Sequence, residues 1–528
     1  MKIKITSVFA FFFFFASQMQ AQVNYSEDIA PIIYNNCTVC HRAGEIGPMP
    51  LTNYEEVKVW GSMIEYVTSI KYMPPWPADR EFSTFVSEAG LTDGEIQLIS
   101  DWVAAGTPQG DPALEPPLPS FPTGSQVGEP DLVLSFERPY VHEGDLTDQY
   151  QIIVLPTGLT EDKYVKAIEM RPGNKAIVHH ALFAVDDTGE GQVLDAQTPE
   201  YGFPSFGDFG VETAVQIPQG YVPGATPTKF YRGIGSSLPA GSDILVQMHY
   251  APIPVTESDS STVNIFFADP DETIEREVKQ HIMLPFFGTL TNGPFFMPAE
   301  SVKTFHGVYT VPEKVSLIGI FPHSHLLGKD WKVIAVAPNG DTTNLISIPE
   351  WDFNWQRTYF FKKFQVLEPG TKIHAYATYD NTSSNPYNPN NPPQAITWGL
   401  GTEDEMYYLP LVYVDYFPGD EDIELTDDPV SSAEDLGLKF PADKLYPVYP
   451  NPSNNKITVG FTLARAEKVA LEVLDLQGRL VKTILENDFR HAGPNQMRVE
   501  LGSLPGGVYL LNLKSERFSM AEKFYINR

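Results

Sequence analysis

Five histidines stand in apolar sequence, and their spacing is suited to metal chemistry. FPHSHLLG holds His323 and His325, which would share one face of a strand because side chains alternate along it. AIVHHALFAV holds the adjacent His179 and His180, and LVQMHYAP holds His249. Burying several imidazoles costs free energy unless they are hydrogen-bonded or bind a metal. The pattern therefore predicts an imidazole-rich metal site, of a kind that suits copper, zinc, iron or nickel.

The surrounding sequence narrows the kind of metal chemistry. The chain has no H-E-x-x-H segment, which disfavours a helical zinc protease. No nearby carboxylate completes an obvious iron site of two histidines and one carboxylate. A methionine thioether among the ligands would favour copper, because soft ligands select Cu(I). The residues alone indicate a redox-active metal protein and leave the choice of metal open.

A second redox group is indicated near the N-terminus. Cys37 and Cys40 are the two cysteines of the chain, and His41 follows them in the C-x-x-C-H pattern that attaches c-type haem. The thiols would bond the porphyrin, and His41 would become the proximal ligand of the iron. A Cys₄ zinc site is excluded because there is no second cysteine pair. A disulfide beside an unrelated histidine stays open as an alternative.

The other axial ligand of such a haem is usually a methionine or a histidine. Met73, in KYMPPWPAD, lies far enough beyond His41 for the chain to return over the opposite haem face, whereas Met49 lies too close. We expect Met73 to be this ligand, with ordinary core packing as the alternative. The segment YMPPW also resembles the methionine loop of small bacterial cytochromes c.

The elements that must position these residues change from helical to β along the chain. Residues 22–112 predict a small all-α domain of cytochrome c type, in which Thr92 and Glu95 form a capping box and Gly106 ends the last helix. A Pro-rich linker follows over residues 113–130.

The rest of the chain consists of short β-branched and aromatic runs separated by Gly, Pro and Asn. This texture predicts two tandem all-β sandwiches, residues 131–285 and 286–425. Residues 426–444 are expected to be a linker. Residues 445–528 again contain strand patterns and predict a smaller, Ig-like β-sandwich.

Charge and the N-terminus indicate where the protein works. The 528 residues include 36 Lys+Arg and 67 Asp+Glu, and the net charge of −31 argues against nucleic acid or an anionic membrane surface as a partner. Residues 1–21 carry lysines, an apolar run and small terminal residues, as in a secretory signal peptide. No other stretch reaches the roughly 18 apolar residues of a membrane span. We expect an exported protein that does not span a membrane.

Read in order, the histidines and one methionine resemble the copper type II, ascorbate-dependent monooxygenases, which include the peptidylglycine α-hydroxylating and dopamine β-monooxygenases. That family has two tandem β-sandwiches, and each holds one copper. One ligand set is an adjacent His-His pair with a later Q-x-H-Y histidine, and the other is an H-x-H pair with a D-E-M methionine. The resemblance covers roughly residues 130–420 and implies two copper ions at six positions: His179, His180, His249, His323, His325 and Met406.

The resemblance implies hydroxylation of a C–H bond with O₂. O₂ would bind at the copper of His323, His325 and Met406, whose thioether would help to maintain Cu(I). The copper of the other three histidines would store and deliver the second electron. The animal enzymes take electrons from ascorbate. Here we expect the haem to relay them to the three-histidine copper from an external donor, either a redox protein or an ascorbate-like reductant.

Three positions depart from the peptide-amidating branch of the family. Phe321 stands where that branch has an arginine for the peptide carboxylate, and Tyr408 and Pro410 replace its substrate-contacting residues. No cysteine is present in the region to form the disulfides of the animal enzymes. We therefore expect an apolar or aromatic small molecule, and not a peptide C-terminus, as the substrate.

The last 84 residues resemble the type A sorting domain of the type IX secretion system. The shared features are Y-P-N-P, the L-D-L-Q-G turn, the L-x-x-G-x-Y-x-L core and a lysine near the end. The resemblance implies that type IX machinery carries the protein across the outer membrane, through the periplasm, for secretion or surface attachment. An Ig-like module without a sorting role is the alternative.

Two other functions stay open at this point. One is a haem and copper electron-transfer or metal-binding surface protein that does not activate O₂, and the other is an adhesion protein whose β domains are only a scaffold. His142, His281 and His374 are expected to be structural or surface residues. His306 is left undecided, because it lies in a strand of the same half as the second metal-ligand set.

Overall fold

The computed structural model describes residues 22–120, 124–205, 208–212, 215–224, 227, 229–425, 443–465, 467–490, 493–502, 504–515 and 517–527. The chain forms two compact units: residues 22–75 with 89–120, and Trp76–Glu88 with the chain from residue 121 onward. The predicted signal peptide, and residues 426–442 of the predicted linker, lie outside the described residues.

The first unit is helical, as the sequence predicts. A π-helical turn at Tyr25–Ile29 leads into the helices, and a 3₁₀ turn follows them at Pro112–Leu114; the helices are α1 (Ala30–Asn36), α2 (Tyr54–Val59), α3 (Gly61–Ser69) and α4 (Asp93–Ala104). The predicted capping box is confirmed, since Thr92 Oγ1 accepts the N–H of Glu95 and the Glu95 carboxylate accepts the N–H of Thr92. Gly106 has a φ of +83° just beyond α4, as expected of a helix-ending glycine.

The first β-sandwich has one short helix, α5 (Glu190–Asp195). Its strands are β1 (Leu132–Ser135), β2 (Tyr140–His142), β3 (Gln149–Pro156), β4 (Lys163–Arg171), β5 (Val178–Asp186), β6 (Phe203–Pro204), β7 (Val215–Tyr221), β8 (Ile234–Leu238), β9 (Asp243–Tyr250), β10 (Glu257–Asp259), β11 (Thr262–Phe267) and β12 (Arg276–Glu277). One sheet has the order β1-β11-β4-β8-β12 and the other β6-β3-β9-β5-β7. Both sheets contribute to one core, which includes Ile168 and Ile265 from the first and Ile153 and Val246 from the second.

The second β-sandwich is built in the same way. Its strands are β13 (Lys279–Met283), β14 (Phe296–Met297), β15 (Ser301–Thr310), β16 (Val315–Ile320), β17 (Gly328–Val336), β18 (Thr342–Ile348), β19 (Tyr359–Leu367), β20 (Lys372–Asn381), β21 (Ile396–Thr397) and β22 (Leu409–Asp415). The sheets β13-β22-β16-β19 and β15-β20-β17-β18 enclose a core around Trp331 and Tyr407. Because β13 pairs with β22, this sandwich already begins at Lys279, before the expected start at residue 286.

The third sandwich occupies the C-terminus. Its strands are β23 (Lys444–Leu445), β24 (Lys456–Leu463), β25 (Glu467–Leu474), β26 (Leu480–Arg490), β27 (Gly493–Glu500), β28 (Gly507–Lys514) and β29 (Ser519–Ile526). The sheets β23-β24-β27 and β26-β25-β28-β29 share one apolar core. Among the described residues, no helix of the chain is both long and apolar enough to cross a membrane.

Two contacts join the first sandwich to the second. Phe230 and Ile234 pack with Ile318, Phe360 and Val412 in a separate apolar cluster. Nearby, the Arg276 guanidinium donates to the Asp420 carboxylate at 2.6 Å, and both side chains are almost fully buried. A buried pair of this kind is costly to separate because each charge would lose its partner. The two sandwiches are therefore held in one fixed arrangement.

The segment Trp76–Glu88 belongs to the second sandwich, although the sequence places it in the helical domain. The N–H of Asp79 donates to the Ser347 carbonyl and that of Val86 to the Phe360 carbonyl, both at 2.8 Å. Phe85 is buried in the sandwich core. The chain thus leaves the helical unit three residues after Met73 and returns to it at residue 89.

Candidate metal centres

The first centre lies where β5 and β9 pair. His179 and His180 come from β5, and His249 from β9. Adjacent side chains of a regular strand point to opposite faces. Here the register shifts between the pairs Val178↔Tyr250 and His180↔His249, so that His179 is the additional residue of a β-bulge. The bulge lets all three imidazoles converge.

The three rings meet through their Nδ1 atoms. The Nδ1 atom of His179 lies 3.2 Å from that of His180 and 3.1 Å from that of His249, and the remaining pair is 3.2 Å apart. Asp148 accepts from Nε2 of His249 at 2.7 Å, which places the ring proton on Nε2 and leaves Nδ1 with its lone pair. A cation bound at this point would be held by such Nδ1 lone pairs.

Burial keeps the imidazoles of His179 and His180 neutral. It lowers the pKa of His179 to about 4, with a further contribution from His249, and it lowers the pKa of His180 well below the usual value. Neutral imidazole is the form that binds metals. Nitrogens that share one ion at about 2.0 Å each stand roughly as far apart as these three do. The residues present therefore fit a three-imidazole metal ion.

The second centre is built on a loop, and the sequence-based expectation of a strand is wrong here. Strand β16 ends at Ile320, and His323 and His325 lie in the connection to β17. An isolated bridge fixes His323, whose N–H donates to the Tyr408 carbonyl at 2.9 Å and whose carbonyl accepts from Tyr408 at 3.3 Å. The two rings still face each other, with centroids 5.1 Å apart and planes at 86°.

Both loop histidines use Nδ1 for support. His323 Nδ1 donates to the Gln356 side-chain oxygen, and His325 Nδ1 donates to the Asp404 carbonyl at 3.2 Å. These bonds leave Nε2 of each ring for a metal. Burial lowers the pKa of His323 to about 3 and that of His325 to about 4, so both rings are neutral.

Glu405 attaches Met406 to the histidine loop. Its Oε1 atom accepts the N–H of His325 and, at 2.7 Å, that of Met406, while Oε2 accepts the N–H of Leu327 at 3.0 Å. The Glu405 side chain is fully buried, and burial raises its pKa to about 8 against the opposing effect of these donors. The backbone of Met406 is therefore fixed beside His325, as a shared metal site requires.

Three supporting residues could not be identified from the sequence pattern: Asp148, Gln356 and Glu405. Asp148 and Gln356 precede strands β3 and β19, in segments without any metal-ligand motif. Glu405 carries a weak signal, because it is an acidic residue that directly precedes the apolar run of β22. Only the folded chain brings each of them to a ligand.

Cys37, Cys40 and His41 directly follow α1 in the helical unit. Cys37 and Cys40 are not joined in a disulfide, and burial, with Cys40 nearby, raises the pKa of the Cys37 thiol to about 12. Redox-active and metal-binding cysteines have lowered pKa values. The environment of Cys37 therefore suits neither a reactive thiol nor a metal-binding thiol. His41 Nδ1 donates to the Met49 carbonyl at 3.1 Å, which leaves Nε2 for an iron.

The helical unit exposes some apolar side chains. Met63, Tyr66 and Ile70 are exposed and follow one face of α3 and its end, and Tyr72 is exposed beyond them. Met73 is half-buried and lies outside the helical core, whereas Met49 packs against that core. Core packing therefore accounts for Met49 and not for Met73.

The four other β-region histidines lie outside both centres. His306 Nε2 and His374 Nδ1 are 3.0 Å apart, and His306 Nδ1 is 2.8 Å from the Thr291 hydroxyl. The His281 ring stacks on Tyr309 with centroids 3.7 Å apart. His142, in β2, is buried, and its Nδ1 atom accepts the Gly144 N–H.

Two segments match known protein families. Residues 291–429 match the copper type II ascorbate-dependent monooxygenase, C-terminal domain, and residues 447–527 match the secretion system C-terminal sorting domain. The first range contains His323, His325 and Met406. Neither range includes the helical unit or the three-histidine centre. No curated protein matches the chain.

Solved structures give only remote similarity. The β-glucuronidase of Faecalibacterium prausnitzii is 11% identical with a TM-score of 0.14, over 49% of this chain and 48% of that one. A β-glucuronidase from Ruminococcus gnavus is 10% identical with a TM-score of 0.15, over 49% and 46%. The chain thus spans about half the length of these enzymes, and scores of this size carry no argument about fold or activity.

The matched domains agree with the sequence-based reading at a coarse level. A copper monooxygenase C-terminal domain lies in the second sandwich, and the sorting domain indicates an exported or cell-surface protein that type IX secretion machinery recognises. Together they support an exported copper-dependent monooxygenase-like protein.

Proposed function

We propose that this protein is a copper-dependent monooxygenase that hydroxylates a C–H bond of a small organic substrate with O₂. One copper would be held by His179, His180 and His249, and the other by a second ligand set: His323, His325 and Met406. When bound, copper supplies one-electron chemistry and a site for O₂. The observation that carries the proposal is the convergence of three imidazoles at Nδ1···Nδ1 distances of 3.1–3.2 Å.

The two centres differ in the donors that the chain offers. The first has three nitrogen donors, and Asp148 fixes the tautomer of His249. The second offers two Nε2 atoms and a thioether, and thioether ligation favours Cu(I), the form needed before O₂ arrives. The second centre is therefore the better candidate for the O₂ site, and the first for electron storage.

The surroundings of the second centre favour an apolar substrate. The Phe321 ring lies 6.0 Å from that of His323, and the Tyr408 ring lies at the same distance on another side. Burial raises the pKa of the Tyr408 hydroxyl to about 12, so that it stays neutral. A cationic group for a substrate carboxylate is missing at position 321. An apolar or aromatic molecule would pack there without leaving a charge unpaired.

A c-type haem on Cys37 and Cys40 would supply the electrons. His41 would be one axial ligand, oriented by its bond to the Met49 carbonyl, and Met73 the other. The haem would pass these electrons to the three-histidine copper.

Metal analysis combined with O₂ uptake tests the proposal. We expect two copper ions and one haem per chain, with O₂ consumption that depends on both a reduced donor and a substrate from an apolar panel. The His323→Ala variant is the matched control and should lose one copper and all substrate-dependent uptake while it keeps its haem. One copper or none in the wild-type protein would refute the proposal. Two coppers without any O₂ uptake would favour an electron-transfer protein.

The haem relay has its own test. The His41→Ala variant should bind two copper ions but fail to turn over with a protein electron donor, because the iron would lose its proximal ligand. Ascorbate, which can reduce copper directly, should restore part of the activity. Undiminished turnover of His41→Ala with the protein donor would exclude the relay and leave the copper proposal intact.

A further inference from the structure

One side chain touches both metal centres. Phe353 lies in the connection between β18 and β19, on the second sandwich. Its ring stacks on that of His179 with centroids 5.1 Å apart and planes at 24°. The same ring meets His325 edge-on, with centroids 5.9 Å apart and planes at 87°. A single aromatic ring therefore lies against one ligand of each centre.

The loop that carries Phe353 is fixed to the second centre. Trp351 Nε1 donates to the His325 carbonyl at 3.3 Å, and the Trp351 N–H donates to the Lys329 carbonyl at 2.9 Å. The Phe353 carbonyl accepts from Gln356 Nε2 at 2.7 Å, and the same Gln356 supports His323. The ring is thus presented to the first centre by a backbone that belongs to the second.

The first centre is held against this loop. The Tyr150 ring stacks on His249 at 4.2 Å, and its hydroxyl donates to the Leu400 carbonyl of the second sandwich at 3.2 Å. The apolar cluster and the buried Arg276–Asp420 pair also hold the two sandwiches together. Proximity to His323 and His325 also contributes to the low pKa of His180, after burial and its two closer histidine neighbours. The contact of Phe353 with both centres is therefore part of a fixed arrangement.

We propose that Phe353 is the contact through which the two centres exchange an electron, an inference that rests on the proposed function. One electron would leave the Cu(I) ion held by the three histidines, which becomes Cu(II), and would reduce Cu(II) at the histidine–methionine centre to Cu(I). No bond is formed or broken, and no proton moves. The ring fills the space between His179 and His325 with a polarisable, water-excluding group, so that little solvent must reorganise around the transferred charge.

Phe321 provides a matched control. It is also an aromatic residue beside the second centre, with its ring 6.0 Å from that of His323 and 6.4 Å from that of Tyr408. The ring contacts described for Phe321 are all within the second sandwich, whereas Phe353 also contacts His179. Replacing either phenylalanine with leucine removes one ring and keeps an apolar side chain. Only the Phe353 variant should interrupt the exchange between centres.

The experiment measures electron transfer without substrate or O₂. The copper-loaded full chain is reduced by one electron in a rapid pulse, and rapid-freeze EPR then follows the Cu(II) signal of each centre as the electron redistributes. We expect the Phe353→Leu variant to redistribute it measurably more slowly than the wild-type protein, because the ring that contacts both centres is lost. Phe353→Tyr, which keeps the ring, and Phe321→Leu should both match the wild-type protein.

The possible outcomes separate this inference from the proposed function. A Phe353→Leu protein that holds two coppers and transfers electrons as fast as the wild type would overturn the inference alone. A Phe353→Leu protein that loses copper would assign the residue to holding a site and would equally overturn its role in exchange. Wild-type protein with fewer than two coppers would overturn the proposed function and this inference together.

Discussion

The two candidate metal centres bring their histidines together with different parts of the fold. In the first, regular strands carry the histidines, and a single β-bulge turns His179 and His180 to the same side. In the second, a loop carries the histidines, and side chains from other segments hold that loop. Strand pairing determines the first centre, whereas Glu405 and Gln356 determine the second.

This difference predicts how each centre responds to damage. A strand-based site is supported by a ladder of backbone hydrogen bonds on both sides, so that no single side chain outside the ligand set is essential to its shape. A loop-based site depends on the few groups that satisfy its backbone, because a buried N–H without a partner is costly. We therefore expect the second centre to be more sensitive to the loss of groups that satisfy its backbone N–H donors.

The largest effect is expected from Glu405→Ala. The change removes the acceptors for the buried N–H groups of His325, Leu327 and Met406, and we expect a loss of about 3 kcal/mol in the free energy of unfolding. Copper content should fall from two ions to one, with the three-imidazole ion retained. Thermal unfolding and metal analysis of the same preparation measure both effects.

Glu169→Ala is the matched control for Glu405→Ala. Glu169 is also buried, and it accepts from the Gln126 N–H and the Asn264 side chain, neither of which is a proposed ligand. Its loss should destabilise the first sandwich and leave two copper ions bound. If Glu405→Ala kept both coppers, the view that this carboxylate organises the second centre would be wrong.

The second prediction concerns how the stability of the copper-free protein depends on pH. Burial lowers the pKa values of His179 and His325 to about 4 and that of His323 to about 3, whereas unfolded histidine titrates near 6.5. Between pH 6.5 and 4 the unfolded chain therefore binds protons that the folded chain does not. Stability of the copper-free protein should fall as the pH is lowered through this window. Unfolding curves at several pH values measure the slope.

Two double variants measure how much of this pH dependence each centre contributes. His179→Ala/His180→Ala and His323→Ala/His325→Ala should each flatten part of it, because each pair contributes imidazoles with depressed pKa values. A slope that stays as steep as in the wild-type protein in both variants would have to come from other groups, and the neutrality of these histidines would then lack support.

The support of His249 by Asp148 gives the third prediction. Asp148→Ala removes the acceptor from Nε2, and we expect copper affinity at the first centre to drop between about 10- and 100-fold, as is usual for such partners. Asp148→Asn keeps an acceptor oxygen without the charge and should lose less. Copper titration that resolves the two centres by EPR measures both. Equal affinity in all three proteins would show that the ladder alone fixes His249.

The sequence predicted which histidine side chains come together better than it predicted how they are held. The spacing of the histidines indicated metal chemistry, and the capping box and the helical and β regions are present as expected. The bulge at His179 could not be read from the sequence, because a register shift depends on the partner strand. Glu405 and Gln356 could not be identified either, since their roles exist only after segments distant in sequence have come together.

Gln356→Leu sharpens the same comparison at the second centre. An amide oxygen is a neutral acceptor, so its loss should cost His323 less than a carboxylate costs His249, and we expect about a tenfold drop in copper affinity at this centre alone. Gln356 also donates to the Phe353 carbonyl. Phe353→Tyr alters the side chain of that loop but keeps the carbonyl, so it serves as the control. A drop at the first centre of the same size would mean that the two sites are not independent.

The smallest effect is expected from His374→Ala, which asks whether the His306–His374 pair is a third centre. His306 Nδ1 can donate to the Thr291 hydroxyl at 2.8 Å, and that hydroxyl in turn donates to the His306 carbonyl at 3.1 Å. His306 Nε2 then accepts the proton of His374 Nδ1 at 3.0 Å. These bonds satisfy every polar atom between the two rings, so no cation is needed. Copper content should stay at two, and stability should change by no more than about 1 kcal/mol. A wild-type protein that bound a third ion, which His374→Ala then lost, would show instead that this pair resembles the first centre in function as well as in composition.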